Sequence, residues 1–237
     1  MSFYDETIAA LQNGLIVSCH VDDAERDAMP ELLAYFARAA ERGGAAGLRI
    51  EGVEQVRSLR SRTRLPIIGF TQQSCDDGSP LITPSMKDVE DLLDAGADII
   101  AVDCTKRKRP DGSDGFLFFE QVRKRFKARL WADVATFREG IRGAESGADL
   151  VATTLAGYTP GTVAKDYRTP DFTLIHELSN SLTIPVIAEG RIWDPEDAAH
   201  AIALGAHAVV VGSAITRPHV VTEMFVNAVK VPRHEEH

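Results

Sequence analysis

The chain has 237 residues, 44% of them hydrophobic and 26% charged, and carries a formal net charge of −9. That length and composition fit one globular domain with a sizeable core. The acidic balance argues against a nucleic-acid or anionic-membrane partner, which demands clustered Lys and Arg, but leaves room for a small anionic substrate held by one local basic cluster.

The predicted elements alternate along the chain. The first short apolar run is Gly14 to Ser18, leading into Cys19 and His20. Arg42-Gly43-Gly44-Ala45 precedes the second run, Gly47 to Glu51, and Pro66 to Phe70 is the third. Met86, Val89, Leu92 and Leu93 recur at helical spacing, so Ser85 to Ala95 should be a helix, with Ser85 as its cap and Asp88 three residues on. Ile99 to Asp103 is the fourth run, followed by the basic stretch Lys106-Arg107-Lys108-Arg109, read as a solvated loop or a steering patch for an anion. Phe119, Val122 and Phe126 mark the next helix, and Arg129 to Asp133 is the fifth run. Thr136 with Glu139 reads as a capping box. Leu150 to Thr153 and Pro185 to Glu189 are the sixth and seventh runs. Asp194-Pro195 is an N-cap with Pro at the first helical position, and Ala208 to Gly212 closes the series.

One punctuation recurs. Ala95-Gly96-Ala97-Asp98, Ser146-Gly147-Ala148-Asp149 and Leu204-Gly205-Ala206-His207 each end a helical stretch before an apolar run, at spacings of 51 and 58 residues. The glycine supplies the left-handed residue that stops a helix. Eight apolar runs joined by helices through short connections imply parallel strands, and a single TIM-type (β/α)₈ barrel spanning residues 1–237. A doubly wound open sheet is the alternative, weakened because no Gly-x-Gly-x-x-Gly follows the first run.

In such a barrel the chemistry sits at strand C-termini. Glu189 ends an apolar run and precedes Gly190, where a partly desolvated carboxylate can exchange protons with a substrate. Its structural reading is a salt bridge with Arg191 or Arg49. Gly190-Arg191 and Gly212-Ser213 follow the last two strands, where glycine lets backbone N–H groups approach a phosphate. Asp133 ends the fifth run and can bind sugar hydroxyls, orient a catalytic group or form a rim salt bridge. His20 is a candidate acid–base group, although a lone histidine is more often structural. Glu51, Gln72, Thr154 and Tyr158 occupy the remaining strand ends and loops.

No metal-ligand cluster or nucleophile elbow is present. Cys19, Cys75 and Cys104 lack CxxC spacing, no signal peptide is read at the N-terminus, and no apolar stretch reaches membrane-spanning length. A cytoplasmic protein, without membrane or nucleic-acid partner and with a homodimer as default, is the expectation.

Several stretches together resemble the N-acetylmannosamine-6-phosphate 2-epimerase family. They include Leu15-Ile16-Val17-Ser18-Cys19, Gly47-Leu48-Arg49, Leu65-Pro66-Ile67-Ile68-Gly69 and Ile82-Thr83-Pro84. They continue through Ala132 to Thr136, Thr153 to Thr159, Pro185 to Ile192 and Val210 to Pro218. The resemblance implies cofactor-free inversion at C2 of an N-acetylhexosamine 6-phosphate through an enediol-like anion. It implies that Glu189 exchanges a proton, that Arg49, Asp133 and Arg217 line the substrate, and that the two glycine loops hold phosphate.

The chain departs from the family where a lysine is expected after the third strand: it reads Gly69-Phe70-Thr71-Gln72-Gln73. Glutamine donates hydrogen bonds but accepts no proton at useful pH. His20 and Glu51 also replace family residues. Either His20 or Glu51 has taken over the lost role, or the chemistry has changed, or a slipped alignment hides the lysine in Lys87 or Lys165. The alternatives carried forward are a non-catalytic phosphosugar-binding barrel and a lyase or aldolase using Lys106.

Overall fold

A computed structural model describes residues 5–21, 29–75, 77–109, 111–163 and 168–230. Eight parallel strands close a barrel: β1 (Gly14–Cys19), β2 (Gly47–Glu51), β3 (Ile67–Phe70), β6 (Ile99–Asp103), β7 (Arg129–Asp133), β8 (Leu150–Ala152), β9 (Val186–Glu189) and β10 (Ala208–Val211), with β10 returning to β1. A separate antiparallel hairpin, β4 (Gln72–Ser74) with β5 (Pro80–Ile82), follows β3. Ten helices are present among the described residues: α1 (Glu6–Ala9), α2 (Met29–Arg42), α3 (Val53–Arg60), α4 (Met86–Asp94), α5 (Gly115–Arg125), α6 (Phe137–Glu145), α7 (Phe172–Ser181), α8 (Pro195–Ala203), α9 (Ser213–Thr216) and α10 (Pro218–Val229). None of them is long and apolar enough to cross a membrane.

The pleat positions the site. Successive strand residues point to opposite faces. Ile16, Ile68, Ile99, Ala101, Trp131, Ile187 and Val210 share one buried cluster inside the barrel. Their neighbours Val17, Leu48, Ile50, Ile67, Ile100, Val102, Leu130 and Ala132 belong to a second cluster beneath the helices. The same alternation, carried to the strand ends, turns Ser18, Arg49, Asp103, Asp133 and Glu189 inward. The apolar filling therefore gives way at the C-terminal rim to this group of polar and charged side chains.

The repeated glycines behave as their pattern implies, with φ of 94°, 94° and 101° at Gly96, Gly147 and Gly205. Ser85 caps α4 in a full capping box with Asp88, and Asp194 caps α8. Thr136 caps α6 through the Glu139 N–H, but the box is only half formed. Glu139 sends its carboxylate to the N–H groups of Ala135 (3.1 Å) and Lys106 (3.2 Å), tying the β7 and β6 loops together.

One element is unexpected and one expectation is corrected. The segment after β3, given no element from the sequence, is a hairpin. Its turn contains Asp77-Gly78 with Gly78 at φ 79°, and its closing residue Thr83 is buried at φ 46°, donating to the Ala101 carbonyl at 2.6 Å. The basic run is not wholly a solvated loop, because half of it is structural. Arg107 reaches Ser79 Oγ (2.8 Å) and the Pro80 carbonyl (2.7 Å) and pairs with Asp103. Arg109 is buried, stacks 3.7 Å from the Phe118 ring centre and donates to the Thr83 carbonyl at 2.5 Å. Only Lys106 and Lys108 face solvent.

Candidate active site

A cavity of about 320 Å³ opens at the C-terminal rim, and every expected site residue except Asp133 lines it. β1 supplies Ser18 and His20, β2 supplies Arg49 and Glu51, and the hairpin supplies Gln72, Pro80 and Ile82. Thr154 and Tyr158 come from the loop after β8, Glu189 from β9, Gly190 and Arg191 from the loop after it, and Gly212, Ser213 and Arg217 from beyond β10. No lysine lies on this wall among the described residues. Lys87 sits on the exposed face of α4, paired with Asp91, and Lys106 is exposed in its loop. Lys165 falls outside the described residues.

A ring of four side chains forms the floor. Arg49 Nη2 donates to Asp133 Oδ2 at 2.8 Å, and Arg49 Nη1 makes an ion pair with Glu189 Oε1 at 3.3 Å. The Thr154 hydroxyl touches Asp133 Oδ1 and, at 3.0 Å, Glu189 Oε2. Trp131 Nε1 donates to Asp133 Oδ1 at 2.8 Å from inside the barrel. The Phe70 ring lies 4.0 Å from the Arg49 guanidinium carbon, a cation–π contact. Thr153 pins the Glu189 backbone from both sides: its hydroxyl donates to the Glu189 carbonyl (2.9 Å) and accepts from the Glu189 N–H (3.0 Å).

One guanidinium thus faces two carboxyls in a site largely closed to water. Burial pushes the Glu189 pKa up to about 7, against the pull of Arg49 and of the Thr154 contact and with a further push from the Asp133 charge. Burial raises Asp133 too, opposed by Arg49 and by the hydrogen bonds from Thr154 and Trp131. The two differ in access. The Asp133 side chain is 0% exposed and lies behind Arg49, whereas that of Glu189 is 11% exposed and opens on the cavity.

His20 is half-buried. Its Nε2 lies 3.1 Å from Ser18 Oγ and its backbone N–H donates to Thr216 Oγ1 at 3.2 Å. Burial, then the charges of Arg217 and Arg49, push its pKa down to about 3, so the ring is a neutral imidazole at working pH. A Cβ on Gly212 would stand 2.8 Å from His20 Nε2, so any side chain there would displace the imidazole. Arg191 sits at φ 60° next to Gly190 at φ 110°. Its guanidinium turns away to the carbonyls of Ala156 (2.5 Å) and Thr169 (2.8 Å), near the Tyr158 ring. Gly190, Gly212 and Ser213 face the cavity with backbone and short side chains only, and α9 has no side-chain cap.

Trp131 as a donor to Asp133, Phe70 beneath Arg49, and the hairpin residues Pro80 and Ile82 were not singled out from the sequence. The Asp-Gly turn was the available signal for the hairpin. The position of Trp131 two residues before Asp133 on one strand, hence on the same face, was the signal for the hydrogen bond.

A carboxyl poised near neutrality, open to a cavity with an arginine beside it, suits proton transfer at a carbon next to a carbonyl. Comparison with known proteins points the same way. Residues 33–231 match the NanE family, described as "Putative N-acetylmannosamine-6-phosphate epimerase". The chain is 41% identical over 230 residues to a "Putative N-acetylmannosamine-6-phosphate 2-epimerase" of Caldanaerobacter subterraneus subsp. tengcongensis, covering 97% of this chain and 96% of that one. It is 42% identical over 228 residues to the protein of the same name from Edwardsiella ictaluri, covering 95% and 94%. A solved structure described as the N-acetylmannosamine-6-phosphate 2-epimerase from Clostridium perfringens superposes with a TM-score of 0.86 at 39% identity, covering 96% of this chain and 98% of that chain. A thiamine phosphate pyrophosphorylase from Pyrococcus furiosus, at 19% identity and a TM-score of 0.60, shares the fold alone. Matched along nearly its whole length in sequence and in backbone, the chain belongs to the N-acetylmannosamine-6-phosphate epimerase family.

Proposed function

We propose that the protein interconverts N-acetylmannosamine 6-phosphate and N-acetylglucosamine 6-phosphate by moving a proton at C2. The observation that carries this reading is Glu189: an inward carboxyl at the cavity floor, raised to about 7 and flanked by Arg49. The open-chain aldehyde acidifies the C2 proton. Loss of that proton gives an enediol-like anion, and return of a proton to the other face inverts the centre. Glu189 handles the proton on one face. Arg49 supplies fixed positive charge for the anion, and Asp133 holds Arg49 in place from behind. Backbone N–H groups at Gly190, Arg191, Gly212 and Ser213, with the Arg217 guanidinium, take the phosphate. Thr154 and Tyr158 complete the wall around the sugar.

The other face needs its own proton carrier. In the ring of eight strands β3 lies four places from β9 in either direction, so the hairpin places Gln72 across the mouth from Glu189. Gln72 binds substrate there by hydrogen bonds and carries no proton. Among the described residues Glu51, on the adjacent strand β2, is the remaining carboxyl of the wall, and it takes the second role; His20, at about 3, is too weak a base and serves as a neutral hydrogen-bonding group. Proton NMR of N-acetylmannosamine 6-phosphate incubated with the protein tests the reading. Growth of the N-acetylglucosamine 6-phosphate anomeric signals supports it, and an unchanged spectrum at high protein concentration refutes it. Glu51→Gln should abolish turnover and His20→Gln only reduce it; the reverse order would assign the second proton to His20.

A further inference from the structure

The floor ring holds more groups that want a hydrogen than hydrogens to give. A threonine hydroxyl has one hydrogen and accepts through its lone pairs. Thr154 Oγ1 contacts two carboxyl oxygens, Asp133 Oδ1 and Glu189 Oε2. It can donate to only one of them. At the other contact either the carboxyl carries a proton and donates back, or two sets of lone pairs face each other in a buried site.

The remaining partners decide which. Asp133 already receives Arg49 Nη2 on Oδ2 and Trp131 Nε1 on Oδ1. With the Thr154 hydroxyl it has three donors for its four lone-pair directions, the arrangement of a nearly satisfied carboxylate. Among the described residues Glu189 has a longer ion pair to Arg49 Nη1 at 3.3 Å on Oε1, and on Oε2 only the threonine oxygen. The consistent assignment runs in one direction: Glu189 Oε2–H donates to Thr154, Thr154 donates to Asp133, and Arg49 balances the single negative charge.

We propose that Thr154 is a positioning residue that assigns the exchangeable proton of this buried carboxyl pair to Glu189 and keeps it off Asp133. Both groups are legible in the sequence as site candidates, but their division of labour is not. It rests on the register of β7 with β8, which pairs Asp133 with Ala152 and brings Thr154 over both carboxyls. The inference deepens the epimerase reading, since the carboxyl that opens on the cavity is then the one loaded with the proton.

The hydroxyl's share in the titration has a definite sign. With Glu189 protonated, Thr154 makes two hydrogen bonds, one accepted and one donated. With both carboxyls ionised it makes one. Removing the hydroxyl therefore costs the protonated state more, and the Glu189 titration should fall. If Thr154 instead served only to donate to an ionised Glu189, its removal would raise the titration. Among the described residues, Arg49 and Asp133 act on Glu189 through their charge, Glu51, His20, Tyr158 and Arg217 share the cavity with it, and none changes in the variants below; Arg191 points its guanidinium elsewhere.

The test is a carbon-13 NMR titration of protein labelled at the glutamate side-chain carboxyl, with the Glu189 signal assigned by its loss in Glu189→Gln. This readout needs no substrate, so it stands apart from whether the chain epimerises. Thr154→Val and Thr154→Ala delete the hydroxyl with and without its volume, and Thr154→Ser restores it; circular dichroism reports folding. The Glu189 inflection should stay near its parent value in Thr154→Ser and fall by about one pH unit in the deletions, the worth of roughly one buried hydrogen bond. A rise, or no change, in a folded deletion variant overturns the proposal. Deuterium exchange at C2 that persists in such a variant alongside an unchanged titration would overturn it while leaving the epimerase reading intact.

Discussion

At the scale of single residues, the site is a contest between burial and pairing, and two of its titratable groups, Glu189 and His20, are pushed in opposite directions. Glu189 holds its proton up to about 7 against an ordinary value of 4.5, and its contribution to stability is full below 4.5 and lost as pH rises through about 7. His20 is held down to about 3 against 6.5, and its contribution is full above 6.5 and lost as pH falls toward 3. In the parent chain the two slopes oppose each other, so the variants must separate them. The Tm of Glu189→Gln, relative to the parent, should climb as pH rises from 4.5 to 7. The Tm of His20→Gln should climb relative to the parent as pH falls below 6.5. Curves parallel to the parent's in both variants would show that neither group is perturbed. Arg49, Asp133 and Glu189 were readable as site residues because an inward polar residue at the end of an apolar strand has no core partner to explain it. The bridging role of Thr154 and the Trp131 hydrogen bond were not readable, because both depend on which residue of a neighbouring strand comes alongside.

At the scale of elements, the strands, the glycine stops and the caps of α4 and α8 follow from local pattern, since apolar runs, helix-stopping glycines and capping side chains act within a few residues of themselves. The hairpin was hidden because Gln72-Gln73-Ser74 is polar and exposed, with no alternation to mark a strand. What holds it is remote in sequence: Arg107, bound to Ser79, Pro80 and Asp103. Arg107→Ala should speed amide hydrogen exchange across residues 72–82 and raise KM several-fold with a smaller change in kcat, because the hairpin carries Gln72, Pro80 and Ile82 to the cavity. Unchanged exchange there would show that the hairpin stands by itself. Gly115 opens α5 against the β6 loop, where an added Cβ would stand 2.4 Å from the Thr105 carbonyl oxygen. Gly115→Ala should therefore cost roughly 1–3 kcal/mol in urea denaturation despite alanine's better helix propensity. Gly161→Ala, with nothing within 4 Å, is the neutral control.

At the scale of the whole molecule, closure of the barrel brings residues from positions 18 to 217 of the chain to one rim, and the acidic protein gathers Arg49 and Arg217 there. Eight runs with parallel connections made that closure legible in the sequence. The identity of the second proton carrier was not, because Gln72 replaces the residue that the family resemblance leads one to expect, and strand order rather than sequence order decides which group lies across from Glu189. The central claim is that Glu189 moves a proton at C2 of a hexosamine 6-phosphate. The direct measurement is deuterium incorporation at C2 from heavy water, followed by NMR or mass spectrometry with N-acetylmannosamine 6-phosphate as substrate. The parent chain should exchange C2 and form the epimer, while folded Glu189→Gln slows both by roughly 10²–10⁴-fold. Epimer formed without deuterium at C2, or full exchange in Glu189→Gln, would contradict the account.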